Sequence, residues 1–146
     1  MTDERLRIPI DDPYLHALGL AIVAFARLEW NASYCCERLE PGYIATIEPR
    51  RKTAGKIASD LVKMVAAVTD PVLRGAIAEP ADEFKALVED RNGLLHGKPA
   101  TALNGDQRLF RGGHEWSIPE VNELADAFVR TSLKLNALLY NELAAL

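Results

Sequence analysis

Along the first forty residues, positions Leu15, Leu18, Ile22, Phe25, Glu29, Ala32, Cys36 and Leu39 recur at alternating spacings of three and four. That repeat lays a single stripe along a helix and predicts a long first helix packed on others. Asp12 is placed to cap it and Pro13 suits its first turn. One member of the stripe, Glu29, is a carboxylate where the pattern asks for an apolar side chain. Pro41 and Gly42 end the helix and Pro49 restricts the connection that follows. A second helix is predicted from Thr53 to Val68, with Ala54, Ala58, Leu61, Val65 and Val68 on one face. Asp70 and Pro71 open a short helix through Ala78. Glu79 and Pro80 then open another, which buries Phe84, Leu87 and Val88, runs through Arg91 to Leu95, and stops at Gly97 and Pro99.

Between Ala100 and Glu115 the helical period fails. Asn104-Gly105 is a turn signal, and Gly112-Gly113 interrupts the next stretch. The expectation there is a loop, or a small β-hairpin pairing residues near Ala102 with those near Leu109. Ser117, Ile118, Pro119 and Glu120 form a capping box for a last helix that buries Val121, Leu124, Phe128, Leu135, Leu138 and Leu139. The fold class expected is all-α: an antiparallel bundle of four long helices plus a short helix, with the loop or hairpin before the last one. No internal repeat or linker divides the chain, so residues 1–146 are expected to form a single helical domain.

Composition narrows this picture. At 146 residues the chain suits one domain with its own core. Apolar residues make up 49% and charged residues 26%, which marks a globular protein rather than a disordered one. The longest apolar run, Ala17 to Ala26, is half the ~20 residues a membrane helix needs, so no membrane partner is expected. The opening MTDERLRIPIDDP is charged and lacks the apolar segment of a secretory leader. Adjacent Cys35 and Cys36 are poorly placed to bridge each other, and a reducing cytoplasm is the expected location. A net charge of -4 argues against a surface that is basic throughout, so any contact with nucleic acid must be local.

The stretch DRNGLLHGKP, Asp90 to Pro99, carries the candidate chemistry. Histidine titrates near neutrality and can exchange a proton with a hydroxyl, while an arginine fork stays charged and matches phosphate oxygens; His96 and Arg91 supply one of each. Together they suit cleavage of RNA by its own 2′-OH: His96 as general base or acid, Arg91 stabilising charge on the phosphoryl oxygens, Asn92 positioning a ligand group or the imidazole. This chemistry calls for neither a metal nor a cofactor. Five residues apart, Arg91 and His96 are rotated by about 140° on a helix, whereas Asn92 and His96 share a face. Glu29 is a candidate partner for Arg91. The same residues also fit an ordinary helix end, since a histidine in the last turn complements the macrodipole and glycine is a common stop.

The RNGLLHG segment resembles the Arg-to-His motif of the HEPN superfamily, matched by Arg91, Asn92 and His96. The FARLE stretch around Phe25, Leu28 and Glu29, and a long final helix after a variable loop, are similar to that family as well. The resemblance implies a helical bundle that pairs as a homodimer, bringing both Arg-to-His segments to a common cleft. It further implies a metal-independent endoribonuclease of a toxin–antitoxin, phage-defence or RNA-processing system, with RNA as substrate and an antitoxin protein as possible partner. Other members of the family have no demonstrated activity, so a non-catalytic helical dimerisation or nucleotide-binding module is the alternative.

Arg50, Arg51, Lys52 and Lys56 form the one tight basic cluster, either a landing site for an RNA backbone or a solvated helix entrance. His16 and His114 stand apart at no metal-ligand spacing and are expected on the surface. Trp30 and Trp116 could stack on bases, but suit a core margin or an interface.

Overall fold

The computed structural model describes residues 3–146. It is mostly helical, with a small antiparallel sheet inserted before the last helix. The long helices are α1 (Asp12–Leu39), α3 (Ala54–Ala66), α4 (Pro71–Leu95) and α5 (Ile118–Tyr140); α2 (Ile44–Ile47) is a single turn. A 3₁₀ turn, Glu4–Arg7, precedes them. Helix α1 packs on α5 and α3, and α4 packs on α3 and α5.

The direction of α5 follows from contacts before, along and after it that rise in step with positions on α1. Tyr14 meets Trp116, Asn31 meets Ser132, Cys35 meets Leu135 and Arg38 meets Leu143. Helices α1 and α5 therefore lie side by side in the same direction, where short connections would have set neighbours antiparallel. The intervening α3, α4 and sheet supply the length needed for that return. The core is filled by Phe25, Phe84 and Phe128, with Phe25 edge-on to Phe128 at 5.0 Å between ring centres, and by Leu28, Leu61, Ile77 and Leu135.

The stripe expected on α1 is displaced. The buried positions are Tyr14, Ala17, Ala21, Ala24, Phe25, Leu28, Ala32, Cys35 and Cys36, while Leu15 and Ile22 are about half exposed. Apolar residues surround the helix between Ala17 and Ala26, so periodicity alone left the inward face undetermined. Four alanines face inward, where their small side chains let neighbouring helices approach closely. The larger Leu20, Ile22 and Val23 stay outside. The cap is Asp11 rather than Asp12: its carboxylate accepts the N–H of Tyr14 and also pairs with Arg108.

Helix α4 corrects a second expectation. It runs unbroken through Pro80, where a helix start was expected. Proline within a helix forfeits one backbone hydrogen bond. Pro80 is buried along with Ile77, Ala81 and Phe84 of the same helix, and that burial offsets the loss. For α5 all six predicted core residues are buried, and Ser117 and Glu120 make both halves of the capping box; the helix was expected to run to the C-terminus but ends at Tyr140.

The segment before α5 is a three-stranded meander of β1 (Lys98–Thr101), β2 (Gln107–Arg111) and β3 (His114–Trp116). The hairpin around Asn104-Gly105 pairs Thr101 with Gln107 and Pro99 with Leu109, so the partner of Leu109 lies three residues before Ala102. The third strand follows a two-residue turn at Gly112-Gly113, both with positive φ. Glycine takes that conformation without the steric cost other residues incur. Buried Tyr14 ties the sheet to α1: its hydroxyl donates to the Trp116 carbonyl at 2.8 Å and accepts the N–H of Leu109 at 3.1 Å. The Arg108 guanidinium covers the same ring at 4.4 Å. Arg111 of β2 donates to the His96 carbonyl, so the sheet also meets the end of α4, where Arg91 and His96 lie.

Candidate functional site

Arg91, in the last turns of α4, turns toward α1. Its guanidinium stacks over the face of Phe25, 4.8 Å from the ring centre, and donates to Asn92 Oδ1 at 3.1 Å. A cleft of about 190 Å³ opens beside it between α1, α4 and α5, lined by Ile22, Phe25, Glu29, Arg91, Leu95 and Phe128 among others. The walls are mainly apolar, and its two charged side chains are Glu29 and Arg91. In so dry a setting each charge strengthens the need for the other.

Glu29 is half-buried, and among the described residues its carboxylate makes no ion pair or hydrogen bond. Burial raises its pKa above the usual carboxylate value, and the positive charge of Arg91 draws it partly back. The structure therefore brings Glu29, Arg91 and Asn92 to one locus, with Glu29 and Arg91 facing the same cleft without direct contact.

His96 is placed differently. It is the C-cap of α4, one turn beyond Asn92; its backbone N–H donates to the Asn92 carbonyl at 2.9 Å, and its carbonyl accepts from Arg111 at 3.3 Å. The imidazole is exposed, has no hydrogen-bond partner among the described residues, and does not line the cleft. About 7.5 Å of helix rise separates it from Arg91. Within one subunit the two groups belong to the same helix end but not to the same cavity. Asn92 sides with Arg91 rather than with the imidazole.

Gly97, expected as an ordinary helix stop, is held by a different constraint. A Cβ there would meet the Leu94 carbonyl oxygen at 2.9 Å and the Leu109 Cβ at 3.0 Å. Only a residue without a side chain lets β2 pass this close to the helix end. The spacing of residues gave no hint of this approach, because β2 is distant in sequence from α4.

The basic cluster has more structure than a solvated entrance would. Arg50, Arg51, Lys52 and Lys56, joined by Lys63, rim a broad depression of about 550 Å³ at the start of α3. Lys52 is nearly covered, lies 3.9 Å above the Tyr43 ring and reaches Asp60 at 3.4 Å; Lys56 reaches the same carboxylate at 2.8 Å. The Tyr43 hydroxyl donates to it at 2.7 Å. Burial acts to raise the Asp60 pKa, but hydrogen bonds from Lys56, Tyr43 and Lys52 outweigh it and hold the carboxyl below its ordinary value. Tyr43, Asp60 and Lys63 were missed in the sequence, because they join the cluster from α3 and the loop after α1. No residue lines both this depression and the Arg91 cleft.

Of the other candidates, His16 is exposed, and His114 is exposed and held by Glu120 at 2.9 Å. Trp30 is half exposed, with its ring 5.9 Å from that of Tyr34. Trp116 is half-buried, and among the described residues its indole N–H has no partner. Both cysteines are buried free thiols, pushed up to about 12 chiefly by burial. Among the described residues no helix is long and apolar enough to cross a membrane. Comparison with protein-family models, curated proteins and solved structures finds no match to this chain.

Proposed function

We propose that the chain is a helical bundle of HEPN type that pairs as a homodimer and cleaves RNA without a metal ion. The observation that carries this reading is the end of α4, where Arg91 faces a cleft and His96 stands exposed one turn further on. A side chain too far along its own helix to share a cavity with Arg91 is well placed to meet a second copy's cleft across a two-fold axis. The rim supports that pairing: Ile22 is 55% exposed and Leu95 45% exposed, with Val23 and Trp30 also uncovered on α1. Large apolar side chains around a charged group are the composition of an interface rather than of a solvated face.

In this reading the RNA 2′-OH attacks the adjacent phosphorus while the His96 that reaches the cleft from the second copy takes its proton. The bond from phosphorus to the 5′ oxygen breaks, and that imidazolium returns the proton to the leaving oxygen. Arg91 stabilises the charge that accumulates on the non-bridging oxygens, Asn92 holds its guanidinium, and Glu29 balances it between turnovers. The products are a 2′,3′-cyclic phosphate and a 5′-hydroxyl. A cytoplasmic toxin–antitoxin or phage-defence role, with an antitoxin as partner, accords with this activity. The test is RNA cleavage in EDTA: His96→Ala and Arg91→Ala each lower the rate by roughly 10²- to 10⁴-fold while the helical circular dichroism is kept. A parent that cuts no RNA, or a His96→Ala variant that cuts as fast, contradicts the proposal.

One observation favours a second reading. The cleft is apolar apart from Glu29 and Arg91, and Arg91 is already engaged by Phe25 and Asn92. A non-catalytic dimerisation or ligand-binding module needs nothing more, and is the reading to adopt if the dimer forms and no RNA is cut.

A further inference from the structure

The depression at the start of α3 is built for an anion that the ribonuclease reading does not use. Five cationic side chains face two carboxylates there, Glu40 and Asp60, in a protein whose net charge is -4. Asp60 is already occupied by Lys52, Lys56 and the Tyr43 hydroxyl. Among the described residues Arg50, Arg51 and Lys63 have no ion pair or side-chain hydrogen bond, so three positive charges face the cavity uncompensated. The first turn of α3 holds no acidic residue either. Such crowding of like charge costs stability unless an anion relieves it.

Arg51 adds a second, independent sign. Its φ of 49° lies in the left-handed region, where a side chain is strained and glycine or asparagine is the usual occupant. An arginine kept there at a steric cost, with its guanidinium unpaired on the rim of a cavity, is the kind of local misfit that accompanies binding.

We infer that this depression binds a small polyphosphate ligand, a diphosphate or triphosphate group of nucleotide size, through Arg50, Arg51 and Lys63, with the Lys52–Asp60–Lys56 cluster as its floor. The volume of about 550 Å³ falls in the range of small-molecule sites and would hold such a group with its attached nucleoside. A continuous RNA track is the poorer fit: Lys52 is stacked on Tyr43 and locked to Asp60, so the cations left free are Arg50, Arg51 and Lys63 around one depression rather than a row along a stripe. The inference does not rest on RNA cleavage, because the two sites share no lining residue.

Calorimetric titration of the full chain with pyrophosphate, ADP and adenosine tests it, alongside a short single-stranded RNA oligomer. Pyrophosphate and ADP bind and adenosine does not. Arg50→Gln and Lys63→Gln each weaken binding by roughly tenfold or more, the loss expected for one charge-assisted contact. Lys134→Gln, a surface cation paired with Glu83 elsewhere, leaves it unchanged. Arg51→Gly, which suits the left-handed backbone, keeps the fold by circular dichroism and weakens pyrophosphate binding in the same way. Absence of pyrophosphate binding at millimolar concentration, equal binding by the Arg50, Arg51 and Lys63 variants, or binding of the RNA oligomer alone would overturn the inference.

Discussion

The guanidinium of Arg91 is held from two sides, by the Phe25 face and by Asn92, while the charge that would balance it, Glu29, stays out of contact. Glu29 therefore carries the cost of its own burial. Its folded pKa lies above the unfolded value, so the folded state binds the proton more tightly, and the destabilisation is present where Glu29 is ionised. Glu29→Gln is expected to raise the melting temperature at pH 7 to 8, with the gain shrinking as the pH falls through the raised folded pKa toward the ordinary 4.5. A gain equal at all pH values would show that desolvation of the charge is not its origin. The thiols of Cys35 and Cys36 follow similar logic. Pushed up to about 12 and buried, they should resist an aromatic disulfide reagent at pH 8 in the native protein and react fully once it is unfolded. At this scale the sequence was informative about residue types and weak about their company. Arg91 and His96 were candidates from residue type and spacing, and Glu29 on the first helix was the expected partner of Arg91, but that Arg91 would engage Phe25 and Asn92 instead was not legible. Spacing along one helix cannot report such contacts.

Among the elements, helices with polar backs were the most legible. Helix α5 buried all six expected residues; α3 buried Ala54, Ala58, Leu61 and Val65, with Thr53 as its cap, but it ends at Ala66 and leaves Val68, expected on the same face, half-buried beyond it. Helix α1 was less so, because its central turns are apolar on every side and packing, not pattern, selected the alanine face. The proline rule misplaced a boundary at Pro80, where tertiary burial outweighed one lost hydrogen bond. The β1–β2 hairpin was visible in Asn104-Gly105. The third strand was also signalled, by two adjacent glycines of the kind a two-residue turn requires, but it was read as an interruption. The junction of α4 and the sheet yields the clearest test at this scale. Gly97→Ala forces a methyl group to 3.0 Å from Leu109 Cβ of β2 and 2.9 Å from the Leu94 carbonyl oxygen of α4, and should cost about 1–3 kcal/mol, read as a lower urea midpoint with an unchanged slope. A neutral Gly97→Ala would mean that β2 does not pass the helix end so closely. Because the same junction carries His96, the variant should also lower RNA cleavage by more than its loss of stability explains.

For the molecule as a whole, parallel packing of α1 and α5 leaves a face of large apolar side chains uncovered, while the small ones are used inside. Ile22 and Leu95 connect that face to the Arg91 cleft. Pairing through this face would bury apolar surface and, in the same step, bring a second His96 toward the first cleft. The basic depression at α3 lies elsewhere and would serve a separate ligand. Of these ideas, cleavage at the end of α4 is central, and the chemistry of the cut ends reports on it most directly. Mixed RNA is to be incubated with purified parent protein in EDTA, and the termini identified by mass spectrometry. The account predicts 2′,3′-cyclic phosphate and 5′-hydroxyl ends that disappear with His96→Ala. Intact RNA, or 5′-phosphate ends that persist in that variant, would contradict it.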